Sequence, residues 1–202
     1  MLKKIISAMV GMLLLTAVGC SGGSSEGDGG IIVIELYPEY APETVANFVK
    51  LVEEGFFDGL TFHRIVDGFM AQGGDPKMSG SNKTAKAIKG EFSENGFSQN
   101  TLKHTKGVIS MARTNDKNSA SSQFFIMLDA NTGLDGKYAA FGEVIEGMDV
   151  IDSFQTVERT RNSMNEMATP VEPVVMKKVT MLKTDSSENP KVQIVMGEIK
   201  SK

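Results

Sequence analysis

The sequence predicts an all-β domain, a barrel or a sandwich, on three observations. Its apolar residues fall in short runs rich in β-branched and aromatic types, glycine- and asparagine-rich connections separate the runs, and only two segments carry helical periodicity. A parallel sheet of the βαβ type would instead call for a helix between successive strands.

The first run, IIVIEL at residues 31–36, is β-branched and stops at Tyr37-Pro38, so it reads as a strand. Next, APETVANFVKLVEEGFF sets Pro42 in a first helical turn, Val45, Phe48, Val49 and Val52 at i, i+3, i+4 and i+7, and Gly55 as a stop. That is an amphipathic helix with one face to a core. LTFHRIV, GVISMA, QFFIML, AAFGEV and VVMKKVTML read as further strands, and GMDVIDSFQTV, residues 147–157, as a second, weaker helix. Two segments read as long loops: Lys77 to Gln99, rich in Gly, Ser, Asn and Lys, and Glu158 to Glu172, mostly polar. Loops of that length in a compact domain are uncommon and often functional.

At the N-terminus, Lys3 and Lys4 precede an almost unbroken apolar run from Ile5 to Val18, the layout of a secretory signal. The run is shorter than the ~20 apolar residues a spanning helix needs. Cys20 is the only cysteine, so it cannot form an intramolecular disulfide. Its place in AVGC, directly after the apolar run, resembles a bacterial lipoprotein signal, although Ala17 stands where such boxes more often carry leucine. The resemblance implies that residues 1–19 are a cleaved signal peptide and that Cys20 is lipidated. The protein is then exported and held at the outer face of the cytoplasmic membrane or elsewhere in the cell envelope. Secretion with an unmodified Cys20 is the alternative. Residues 20–30, dominated by Gly and Ser, form a flexible tether, because they cannot bury enough apolar surface to offset their ordering entropy.

The chain carries 21 basic and 25 acidic residues; losing Lys3 and Lys4 with the signal leaves 19 against 25, a charge of −6. Nucleic-acid binding asks for a basic face, so that class is disfavoured. Roughly 170 residues remain, enough for one sizeable core and few for two. The two histidines, His63 and His104, with one cysteine in the tether, make no cluster of metal-ligand spacing. Neither a phosphate-cradling glycine loop nor a G-x-S-x-G elbow occurs. Glu53-Glu54 reads as a solvated helix end. No metal or cofactor is therefore expected.

FHRIVDGFMAQGGDP (residues 62–76), GVISMAR, SASSQFFIM and LDGKYAAFGEV occur in this order and resemble the signature blocks of the cyclophilin-type peptidyl-prolyl isomerases, in particular bacterial members. The likeness runs with gaps from Ile31 to Leu182. It implies a closed eight-stranded antiparallel β-barrel with a helix over each end, an active groove on the outer wall, and rotation of Xaa-Pro bonds in proline-containing polypeptides, here exported folding clients. A monomer is expected. By motif, Arg64 matches the catalytic arginine, and Phe69, Met70, Phe125 and Leu134 match the proline pocket. Gln72 matches the residue that orients the arginine, Gln123 lies near the substrate backbone, and Ala112 with the backbone of Arg113 matches the stretch holding the residue before proline. Strand alternation puts Arg64 on the face opposite His63 and Ile65, and Gln123 with Phe125 on one face of SQFFIM. His63 reads as a structural histidine and His104, in a polar stretch, as solvent-facing.

Arg113, Gly133 and Tyr138 stand where well-known eukaryotic members carry asparagine, tryptophan and histidine. Gly133 thins one pocket wall and points away from strong binding of cyclosporin-type ligands. A non-catalytic proline-binding module or chaperone is the rival reading. Family members usually begin with an additional strand before the segment matching IIVIEL. Here residues 31–183 form the expected domain, and residues 184–202 an extension in which Val192 to Met196 folds back on the last strand and covers an edge, or else stays loose or binds a partner.

Overall fold

The computed structural model describes residues 29–185 and 188–201. The expected signal peptide, Cys20 and the tether up to residue 28 lie outside the described residues. The elements run β1 (Ile31–Leu36), α1 (Pro42–Glu53), β2 (Thr61–Val66), β3 (Met70–Gly73), β4 (Val108–Met111), β5 (Phe124–Met127), β6 (Ala140–Glu146), α2 (Met148–Ser153), β7 (Arg159–Arg161), β8 (Met167–Pro170), β9 (Val174–Met181) and β10 (Lys191–Met196). Eight strands close into an antiparallel barrel in the order β1-β10-β9-β2-β3-β5-β4-β6, while β7 and β8 form a separate hairpin. This is the barrel architecture the resemblance implies.

Alternation fills the interior. Ile32, Ile34 and Leu36 of β1, Phe124 and Ile126 of β5, and Val192, Ile194 and Met196 of β10 all point into one core. Helix α1 enters it through Val45, Phe48, Leu51 and Val52. Phe48 packs 4.9 Å from Phe57, 5.5 Å from Phe124 and 5.1 Å from Phe141 between ring centroids, so one helix side chain ties three chain segments together. Burying such a ring contributes roughly 1.5–3 kcal/mol.

The segment Lys77 to Gln99 is irregular apart from short 3-10 turns at Lys77–Ser79 and Ser93–Asn95, and it straps α1 at both ends. Glu91, buried, accepts from the backbone N–H of Glu43 and Thr44 at 3.0 and 2.8 Å, an anion on the helix N-terminus. Lys83 Nζ donates to the carbonyls of Gly55 and Phe56 at 3.0 and 2.7 Å, just past the helix C-terminus.

Residues 191–196 fold back antiparallel on β9 as β10 (Val179 opposite Ile194) and cover β1 on the other side (Ile32 opposite Ile194, Ile34 opposite Val192), which is the expected fold-back rather than a loose tail, although β10 lies inside the closed barrel and not at an edge. Seated between β1 and β9, it closes the barrel and leaves no free edge there. Glu158 to Glu172 is not a loop but the β7–β8 hairpin, whose turn contains Asn165 at φ 64°. Its strands are short, and only Arg159 and Ala168 in them are fully buried, so no apolar alternation marks them.

Candidate active site

Arg64 reaches the outer wall through a β-bulge. Phe62 lies opposite Gly73 and Arg64 opposite Gln72, so β2 spends an extra residue against one step of β3. Phe62 and Ile65 are both fully buried in the core, whereas His63 and Arg64 are only half-buried. The alternation that would turn His63 inward beside Ile65 therefore fails, because the additional residue shifts the inside–outside register by one. His63 instead lines an outer cavity with Thr61, Met78 and Pro173, and burial pushes its pKa down.

Across the wall, Arg64 neighbours Gln72, Gln72 neighbours Phe125, and Phe125 neighbours Ser110. Phe125, Met70, Val108, Met127 and Ala140 form a second apolar cluster apart from the barrel interior, and half-buried Phe69, Ala112, Leu134 and Tyr138 pack on it. Over this cluster lies a groove of about 340 Å³ lined by Arg64, Phe69, Met70, Gln72, Ala112, Arg113, Phe125, Leu134, Tyr138 and Met164. Gln123 lines an adjoining hollow of about 180 Å³ that shares Gln72, Ala112 and Arg113 with the groove. The structure thus brings every residue matched by motif to one stretch of wall.

A polar chain runs along its floor. Arg64 Nη1–H donates to Gln72 Oε1 at 3.4 Å, Gln72 Nε2–H to Gln123 Oε1 at 2.9 Å, and Gln123 Nε2–H to Asp75 Oδ2 at 2.9 Å. Ala112 N–H is taken by the Gln123 carbonyl at 2.9 Å, which ties the β4 and β5 sides of the groove together. Arg113 folds back, donating to the Lys137 carbonyl at 3.2 and 2.9 Å, with its guanidinium 4.6 Å from the Tyr138 ring centroid. It buttresses Tyr138, which meets Phe125 edge to face at 5.8 Å.

His104 is buried rather than solvent-facing. Its backbone N–H and its Nδ1 both meet Asp135 Oδ1, at 2.9 and 3.1 Å, its Nε2 lies 3.0 Å from Ser110 Oγ, and its ring stacks behind Phe125 at 6.0 Å. A carboxylate only accepts, so Nδ1 carries the proton and Nε2 accepts from the serine. Burial lowers the His104 pKa and outweighs the nearby carboxylate, so the ring is neutral at pH 7. Asp135 is held below its usual range because hydrogen bonds from His104 and Lys103 outweigh its burial. His104 is the rigid backing of the pocket floor; its polar neighbours in sequence hide that.

Two residues at the site carry no sequence signal, both from the turn of the hairpin: Met164, which lines the groove, and Glu166, which holds Arg64. Glu166 pairs with Arg64 side-on: Nε–H to Oε2 at 2.9 Å and Nη2–H to Oε1 at 2.8 Å. Those hydrogen bonds, with another from Asn162, push its pKa down to about 2. The two partners lie 102 residues apart, so only the fold joins them.

Among the described residues no group of three or more His, Cys, Asp or Glu could hold a metal ion. Chemically the groove offers an apolar slot for a small ring and two held cations, of which Arg113 spends N–H groups on the Lys137 carbonyl and Arg64 faces the groove beside Gln72.

A protein-family model described as cyclophilin type peptidyl-prolyl cis-trans isomerase/CLD matches residues 24–181. Peptidyl-prolyl cis-trans isomerase A of Dickeya dadantii is 37% identical over 199 residues, covering 91% of this chain and all of the relative. Peptidyl-prolyl cis-trans isomerase B of Bacillus subtilis is 45% identical over 122 residues, 60% of this chain and 81% of the relative. The crystal structure of cyclophilin AquaCyp293 from Hirschia baltica superposes with a TM-score of 0.63 at 30% identity, covering 84% of this chain and 77% of that one. A Cryptosporidium parvum cyclophilin type isomerase, crystallised in the presence of the dipeptide ala-pro, gives 0.65 at 25% identity, covering 79% of this chain and all of that one.

Proposed function

Since the chain belongs to the cyclophilin-type peptidyl-prolyl cis-trans isomerase family and is an enzyme of that type, we propose that Arg64 is its catalytic residue and that the adjoining slot takes the proline ring. No covalent bond is made or broken in this reaction. Amide resonance opposes rotation with a barrier of about 18–20 kcal/mol, and uncatalysed exchange takes tens to hundreds of seconds. In the planar ground state the proline nitrogen's lone pair is delocalised and accepts nothing. As the bond twists, the lone pair localises and becomes an acceptor. A guanidinium N–H waiting there binds the twisted state more tightly than the planar one, which is what lowers the barrier. Its charge persists at any working pH.

The observation that carries this reading is the meeting of Arg64, 3.4 Å from Gln72 Oε1, with the apolar floor made by Phe125 and Met70. Phe69, Leu134 and Tyr138 would wall the ring, and Ala112 and Gln123 would lie along the substrate backbone. A dry wall of this kind strengthens a hydrogen bond made beside it. Exchange of a short Xaa-Pro peptide, followed by NMR with residues 21–202, tests the assignment. Arg64→Ala is expected to lose about 10²-fold in kcat, the scale of losing one transition-state donor; a variant as fast as wild type would refute it.

The substrates are proline-containing polypeptides. We assign them to exported chains, supported by the lysine-flanked apolar run and the AVGC box at Cys20. Mass spectrometry of the mature protein checks this: a diacylated Cys20 is expected, and an uncleaved or unmodified N-terminus overturns it.

A further inference from the structure

We infer that Glu166 is the positioning residue for Arg64, an inference that rests on the catalytic reading of that arginine. A guanidinium on a four-bond stem carries large rotamer entropy, and a donor that must be aimed before the amide twists gains from losing that freedom in advance. Gln72 alone does not supply the constraint, since its oxygen accepts at 3.4 Å, a long contact. The two-point pairing with Glu166, at 2.9 and 2.8 Å, fixes the plane of the fork. It engages Nε–H and one N–H of Nη2, while Nη1 faces Gln72 Oε1 at 3.4 Å and Met70 Sδ at 3.8 Å, two weak acceptors, so the second N–H of Nη2 is the donor held ready for the groove.

Glu166 is itself held. Asn162 Nδ2–H donates to Glu166 Oε2 at 2.8 Å, and Asn162 Oδ1 accepts the backbone N–H groups of Glu166 at 3.0 Å and Met164 at 2.9 Å. At the base of the hairpin, buried Arg159 pairs with Asp67 in the β2–β3 turn, through Nη2–H to Oδ2 at 2.7 Å and a second bond from Nη1. The hairpin is thus docked onto the strand that carries Arg64, and its turn delivers one carboxylate to the guanidinium. The pairing draws charge from the site, but the transition state asks for an aimed N–H more than for net charge, because the lone pair it meets belongs to an uncharged amide.

The test compares wild type, Glu166→Ala and Glu166→Gln in the NMR exchange assay, with the Arg64 Nε–H resonance followed in the same samples. Glu166→Ala is expected to lower kcat about tenfold, short of the ~10²-fold of a full 1 Å misplacement because Gln72 still contacts the guanidinium, with KM within about twofold. The Arg64 Nε–H signal, slow to exchange in wild type, should broaden or vanish. Glu166→Gln keeps one acceptor and should retain both the signal and most of kcat. Accelerated exchange by wild type with kcat unchanged or raised in Glu166→Ala overturns the inference alone. Equal losses in the two variants also overturn it, since an isosteric amide that preserves the hairpin should rescue. Wild type that fails to accelerate exchange sinks the catalytic reading of Arg64, and this inference with it.

Discussion

Ending the chain at Lys183 removes β10, and the structure predicts that the barrel then fails to fold. Val192, Ile194 and Met196 are each 0% exposed. At roughly 1.5–3 kcal/mol per buried side chain, their loss removes about 5–9 kcal/mol, reduced by some 10–40% for the compactness of real unfolded chains. A domain's whole stability is about 5–15 kcal/mol. The truncation also strips β1 and β9 of their shared partner, leaving two open strand edges in place of none. The graded version is Ile194→Ala, expected to cost about 2–5 kcal/mol, beside Gln193→Ala on the outer face of the same strand, expected within about 0.5 kcal/mol. Urea unfolding followed by far-UV circular dichroism, with isomerase activity on the same samples, reads all three. A chain ending at 183 that unfolds cooperatively at the midpoint of the full chain would refute the reasoning, and so would an Ile194→Ala midpoint equal to that of Gln193→Ala.

Acid should weaken the pocket floor. The pKa of His104 is lower in the folded chain than its unfolded value of about 6.5. The unfolded state therefore takes up the proton first, and the stabilisation, complete above about pH 6.5, is lost as pH falls below it. His63 shifts in the same direction, so His104→Asn should flatten only part of the fall in urea stability between pH 7 and 5; an unaltered pH slope would refute the assignment. The hairpin anchor should respond asymmetrically. Asp67→Ala strands the cation of Arg159, whose side chain is 5% exposed, whereas Arg159→Met returns a 60% exposed carboxylate to water. The first is expected to cost more, near the low end of the ~3–5 kcal/mol for breaking a buried pair, and equal urea midpoints for the two variants would contradict this.

The line between legible and illegible follows contact order. Strand and helix identities are local: the i, i+3, i+4, i+7 spacing of Val45, Phe48, Val49 and Val52 states a helical face whatever it packs against. The groove residues were legible as four ordered blocks, because each block lies on one strand or turn and strand alternation already puts Gln123 and Phe125 on a common face. His63 was misplaced because a bulge depends on how β3 pairs with β2, and pairing is not written in either strand alone. His104 was misread because its burial comes from Asp135 and Phe125, supplied by other segments.

By itself, then, the sequence determined an all-β domain with two helices, the family's signature residues on the outer wall, and Arg64 as the cation matched to catalysis among them. Tertiary structure decided between a fold-back and a loose tail for β10, which completes the barrel, and it alone brought Glu166 onto Arg64 from 102 residues away. Local pattern reports which face of an element is apolar, but which strand fills a gap, and which carboxylate meets a given guanidinium, depends on closure of the whole chain.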